Sequence, residues 1–173
     1  MDRLYLTQVP VAQTGMLIRK PVGIVFNAFI DPAITTKFWF TRSSGRLETG
    51  VRIRWEWEMY AASADVEVSK LDKDKLIVME WGEPGANTTV EFVFTARADD
   101  TTFVSITNSG FTGDGDKVTN LAMDSAAGFS LVLAGLKAYL EYGIELNLIA
   151  DRFPDLWVNR PKAMGPSNHR VYK

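Results

Sequence analysis

Cysteine is absent from the chain, and histidine occurs once, as His169 near the C-terminus. The first absence excludes disulfides, thiol nucleophiles and thiolate metal ligands. The second leaves Ser-His-Asp and Cys-His catalysis without a base in the body of the chain. Zinc and non-haem iron lose their usual nitrogen and sulfur ligands by the same count, so neither a metal nor a cofactor is expected. A surplus of positive charge is also missing: 19 Lys and Arg stand against 21 Asp and Glu, for a net charge of −2. Nucleic-acid binding would need a basic excess or stripe, and none is expected. The longest apolar run, Ala126 to Leu136, is interrupted by Ser130 and is shorter than the ~18–20 residues of a membrane span. Met1-Asp2-Arg3-Leu4 opens no signal-peptide pattern. The expectation is a soluble, cytoplasmic protein with no membrane span.

What is present is ordinary in amount and informative in order. With 173 residues, 46% of them apolar and 23% charged, the chain is long enough for one domain with a real core. Val11–Arg19 reads as a first strand, ended by Lys20-Pro21. Pro21 suits the start of a helix whose apolar face is Val22, Val25, Phe26 and Phe29. Asp31-Pro32 repeats that signal, an Asx cap followed by proline, for a second short helix running into Phe38-Trp39-Phe40. From Thr41 the period changes to two. Ser43–Glu48 reads as an edge strand. In Val51–Tyr60, Ile53, Trp55, Trp57 and Met59 alternate with Arg52, Arg54, Glu56 and Glu58, as in a half-buried antiparallel strand. Strands follow from Ala64, over Leu76–Trp81, over Thr88–Ala98 with Val90, Phe92 and Phe94 on one face, and over Thr102–Gly110 with Val104, Ile106 and Asn108 on one face. Turns at Asp72-Lys73-Asp74, Gly82-Glu83-Pro84-Gly85 and Asp99-Asp100 make this a meander of hairpins.

Asp116–Asn147 then reads as one long helix, capped by Asp116 and stopped before Phe153-Pro154. Ala122 and Phe129, seven apart, and then Leu133, Leu136, Leu140 and Ile144, stepping by threes and fours, share one face of it, over roughly 48 Å at helical rise. Its back face, Leu131, Ala134, Ala138 and Tyr142, lacks the charges a surface helix should carry. Residues 148–173 or a second subunit are expected to cover that face, so a homodimer through it is one of the partner expectations.

Candidate motifs resolve mostly into ordinary structure. Asp114-Gly115-Asp116 begins like a calcium loop, but Val118 and Ser125 stand where an EF-hand needs ligands, and a capped turn accounts for it better. Gly110, Gly113 and Gly115 match no phosphate-loop spacing. Glu56 and Glu58 share a side of the strand with Arg52 and Arg54 and read as solvated cross-strand partners. The strongest chemical signal is aromatic. Trp39, Trp55, Trp57, Trp81, Phe92, Phe94 and Phe129 fall where sheet and helix face each other, with Leu133 and Leu136 from the helix. Asn108 and Tyr139 are the polar groups near such an interior. Aromatics alone would simply be core, but a curved sheet around one helix leaves room for an apolar ligand cavity.

The order strand, helix, helix, six strands, long helix resembles the helix-grip fold of the START-like or SRPBCC superfamily. Within it, the chain resembles the domain family named for the activator of heat-shock-protein ATPase homologue. The match lies in Val25–Pro32 with Phe38-Trp39, Leu76–Trp81, Val90-Glu91-Phe92, Thr102–Phe111, and Gly128-Phe129 with Leu133, Leu136, Tyr139 and Leu140. Asn108 stands where that family often has histidine, and Phe129 where it often has tryptophan. The resemblance covers about residues 11–147. It implies an α+β fold, a curved antiparallel sheet of about seven strands wrapped around the C-terminal helix, with residues 1–10 as an arm and 148–173 as an extension. It also implies a deep apolar cavity for lipids, polyketides or similar molecules. The leading expectation is non-catalytic binding of a small hydrophobic ligand by the eleven residues just named for the interior. The alternatives are a cyclase/dehydratase-like enzyme using the same cavity and a co-chaperone-type interaction module with a chaperone partner.

Overall fold

The computed structural model describes residues 5–82 and 85–158. His169, residues 1–4 of the arm, residues 83 and 84 of the Gly82–Gly85 turn and residues 159–173 of the extension lie outside the described residues. Seven strands form one antiparallel sheet: β1 (Ala12–Ile18), β2 (Arg42–Ser43), β3 (Arg52–Trp57), β4 (Ala62–Asp72), β5 (Leu76–Trp81), β6 (Thr88–Ala96) and β7 (Thr102–Ser109). Their order is β1-β7-β6-β5-β4-β3-β2, so the meander from β2 to β7 is completed at its far edge by the first strand. Two short helices, α1 (Val22–Ile30) and α2 (Pro32–Thr35), follow β1, and the long helix α3 (Gly115–Tyr142) follows β7. This is the helix-grip arrangement expected from the order of elements.

Local chemistry explains where the boundaries moved. The expected edge strand Ser43–Glu48 shortens to Arg42–Ser43, because serine hydroxyls divert the backbone. Ser43 Oγ donates to the Gly45 carbonyl at 2.7 Å, and Ser44 Oγ accepts from the Arg54 N–H at 2.9 Å. The strand expected over Val51–Tyr60 ends at Trp57, and a 3-10 turn over Glu58–Tyr60 leads to Ala61 at φ +49. Helix α3 starts earlier and stops sooner than expected. Asp114, not Asp116, is its cap, accepting from the Lys117 N–H at 2.8 Å. Gly143 ends it in the left-handed conformation, its N–H turned back to the carbonyls of Ala138 and Tyr139. Proline at 154 therefore has no part in stopping it, and Ile144 is exposed. In β4 the register slips by one residue between Val68 and Lys70, a bulge of the kind that bends a strand and lets a sheet curl.

The concave face of the sheet and one face of α3 enclose the core. Trp55, Val66, Val68, Ile77, Met79, Val90, Phe92, Phe94, Val104 and Ile106 alternate inward along the strands to meet Phe129, Val132, Leu133 and Leu136. A smaller cluster of Ala12, Phe111, Val118 and Ala122 lies under the first half of α3. By length and composition α3 is apolar enough to cross a membrane, although Ser130 interrupts its longest apolar run. Here its inward residues are packed against the sheet.

Its opposite side is covered unevenly. A strap formed by α4 (Leu148–Asp151) and a 3-10 turn (Pro154–Leu156) runs back over α3. Gly135 meets Phe38 so closely that an added Cβ would lie 3.2 Å from the Phe38 Cβ and carbonyl oxygen. Leu131, Ala134 and Ala138 stay half-buried and Tyr142 is exposed.

Candidate ligand cleft

Between the first half of α3 and one end of the sheet lies a cleft of ≈ 500 Å³. Its walls come mainly from the sheet, the segment after α2, α3 and the strap. The ends of β3 and β5 bring Trp57 and Trp81, and the segment after α2 brings Trp39. Asn108 comes from the end of β7 and Phe111 from the segment after it, and Ser125, Phe129 and Val132 come from α3. The strap closes one side with Ile149 and Arg152.

The aromatic walls support one another. Trp81 lies 5.7 Å from Phe129 and 6.2 Å from Trp57 between ring centroids, and Trp39 lies 6.0 Å from Trp81 and 5.8 Å from Phe129. Tilted and edge-on pairs at these distances are the preferred aromatic arrangements.

Besides Thr88, Thr112 and the charged Lys117, Asp124 and Arg152, the lining carries two polar side chains that meet from opposite sides, Asn108 and Ser125. Asn108 is 3% exposed. Its Nδ2 donates to Ser125 Oγ at 2.9 Å, while its Oδ1 is buried without a hydrogen-bond partner. Each group is there for a local reason. Asn108 is the last inward-facing position of β7, in register with Val90 of β6 and Ala12 of β1. Ser125 stands one helical turn before Phe129.

At the rim the charge is largely self-compensated. Arg152 Nη2 reaches Asp124 Oδ1 at 2.7 Å and the Asp124 carbonyl at 3.1 Å, with its guanidinium 4.8 Å from the centre of the Phe153 ring. It passes over Gly128, where an added Cβ would lie 2.8 Å from Nη1. The strap is tied down a second time by Tyr60. The Tyr60 hydroxyl lies 2.6 Å from the Ile149 carbonyl and 2.8 Å from that of Ala150, sharing one proton, and accepts the Phe153 N–H at 3.2 Å. Trp157 Nε1 adds a bond to the Ala150 carbonyl at 2.6 Å.

Of the eleven residues singled out from sequence, Trp39, Trp57, Trp81, Asn108 and Phe129 meet at the cleft. Trp55, Phe92, Phe94, Leu133 and Leu136 lie in the filled core beside it. The reason is α1 and the segment after α2, whose aromatics fill that part of the interior. Phe29 packs 5.2 Å from Phe92 and 5.6 Å from Phe94, Phe26 packs 5.2 Å from Phe94, and Phe40 stacks 4.5 Å from Trp55. Tyr139 is half-buried farther along α3 and does not line the cleft. Sequence reasoning passed over Ser125, Asp124, Val132, Ile149 and Arg152. Ser125 was within reach, being polar and one turn from Phe129. The strap residues carry no periodic signal.

Comparisons with known proteins agree on the architecture. A family profile described as Activator of Hsp90 ATPase homolog 1-like protein matches residues 19–141. No curated protein sequence matches significantly. Among solved structures, SSP2350 from Staphylococcus saprophyticus is 28% identical and superposes with a TM-score of 0.68, covering 79% of this chain and 96% of its own. An Aha1 from Colwellia psychrerythraea, solved as a dimer, is 20% identical with a TM-score of 0.67, covering 78% of this chain and 98% of its own. DynU16, a protein in the dynemicin biosynthetic locus, is 22% identical with a TM-score of 0.67; the match covers 78% of this chain and 48% of that longer one.

Proposed function

This chain belongs to the family of Activator of Hsp90 ATPase homolog 1-like proteins, and from that premise we propose that it binds a small, largely apolar molecule in the cleft between the sheet and α3. Membership fits a ligand-binding or a co-chaperone-like domain. The observation that favours the first is the ≈ 500 Å³ cleft itself, within the size range of small-molecule sites and walled by aromatic rings with few polar groups. The position of DynU16 in a biosynthetic locus is in keeping with a ligand of natural-product size. Acid–base catalysis is less well supported. The ionisable side chains along the cleft are Lys117, Asp124 and Arg152, of which the last two are engaged with each other.

Thermal-shift and native mass-spectrometric screening of fatty acids, sterols and polycyclic phenols tests the proposal. A ligand at a hundred times its Kd contributes about 2.7 kcal/mol, which for a chain of this size raises Tm by roughly 5–10 °C. Leu121→Trp, which narrows the cleft from its exposed rim, should abolish the shift. A screen in which nothing stabilises or is retained would overturn the reading. The homodimer through Leu131, Ala134 and Ala138 stands as a second proposal, supported by the incomplete cover of that face. Sedimentation of the wild type against Leu131→Lys tests it.

A further inference from the structure

We infer that the ligand carries a neutral hydroxyl group, and that Asn108 and Ser125 read it. The inference rests on the cleft being a binding site. It starts from the one buried side-chain polar atom without a partner among the described residues, Asn108 Oδ1. Orphaned buried acceptors are uncommon in folded proteins and call for a reason. Here the side chain lies at the cleft wall with aromatic neighbours, and its amide is committed on the nitrogen side only, to Ser125 Oγ.

The Ser125 hydroxyl accepts that bond and has no acceptor for its own proton among the described residues. The pair therefore offers one unused acceptor and one unused donor, neither of them charged. A hydroxyl matches both, donating to Oδ1 and accepting from Ser125 Oγ. A carboxylate would set its oxygens against Oδ1 and bring a charge into a largely apolar cleft, where Arg152 is already engaged by Asp124 and Lys117 is the other lining cation. An ether has nothing to donate. The aromatic walls Trp39, Trp57, Trp81 and Phe129 make a phenol or a hydroxylated polycycle the best complement to the rest of the cleft.

Four probes of one shape test this on the full chain: naphthalene, 2-methoxynaphthalene, 2-naphthol and 2-naphthoate, titrated calorimetrically. The expected result is that 2-naphthol binds about tenfold tighter than its methyl ether, the order of one net hydrogen bond. Naphthoate should bind weakest. In Asn108→Leu the naphthol preference should fall to near unity while naphthalene still binds, and Tm should not decrease, because the substitution removes an unpaired buried acceptor. If the leucine overfills the site, Asn108→Ala carries the same expectation for the preference. Equal binding of naphthol and its ether to wild type, or a preference that survives both variants, would overturn the inference and leave the cleft proposal standing. No binding of any probe would overturn both.

Discussion

Glu141 shows what a single side chain does at the end of α3. Its side chain is 5% exposed, and its carboxylate accepts from Lys137 Nζ at 2.6 Å and from the Arg19 N–H at 2.8 Å, and so fastens the helix to the end of β1. Burial pushes its pKa up, but the hydrogen bonds from Lys137 and Arg19 and their charges outweigh it, and the net position is below the ordinary 4.5. A carboxylate depressed in the folded state stabilises the fold above its ordinary pKa and loses that contribution as the pH falls through the depressed value. Glu141→Gln should therefore cost roughly 1–3 kcal/mol at neutral pH. Denaturant titrations should show the gap between variant and wild type closing as the pH drops below 4.5. At this scale sequence reading reached some residues and missed others. Strand parity placed Asn108 inward, because alternation is a property of the backbone. It could not say that Lys137 and Glu141 meet Leu17 and Arg19, more than a hundred positions away.

Among the elements, the hairpins and α3 were legible because each is announced by a local period. The strap was not, since residues 148–158 have no period and are held from a distance by Tyr60 and Asp124. Two substitutions separate its attachments. Tyr60→Phe removes a hydroxyl shared among three backbone groups and should cost about 1 kcal/mol, with limited proteolysis near residues 148–156 as the sensitive readout. Gly128→Ala gains up to about 1 kcal/mol in helix propensity but displaces the flexible end of Arg152, so Tm should change little while the same cleavage accelerates. Gly135 differs in kind. Its neighbour is the backbone of Phe38, which cannot swing aside, so Gly135→Leu should lower stability by about 1–3 kcal/mol. An unchanged melting temperature would mean that α3 and the Phe38 segment are not in close contact.

For the molecule as a whole, the sequence pointed to a curved sheet around a helix and to an aromatic interior, but not to the division of that interior into a filled part and an open part. Parity says which rings face inward. Only the placement of α1 decides that Phe92 and Phe94 meet Phe29 while Trp57 and Trp81 are left at a cleft. That division has an optical consequence. Four of the five tryptophans form one contiguous group, with Trp39 4.8 Å from Trp55 and Trp55 6.2 Å from Trp81. Excitation absorbed by any of them should migrate through the set, and Trp57 and Trp81 line the cleft that a bound aromatic would enter. The group should emit and show near-ultraviolet circular dichroism as a coupled unit. A bound phenol should alter both signals, giving a label-free reporter of occupancy that Trp157, on the strap, does not share.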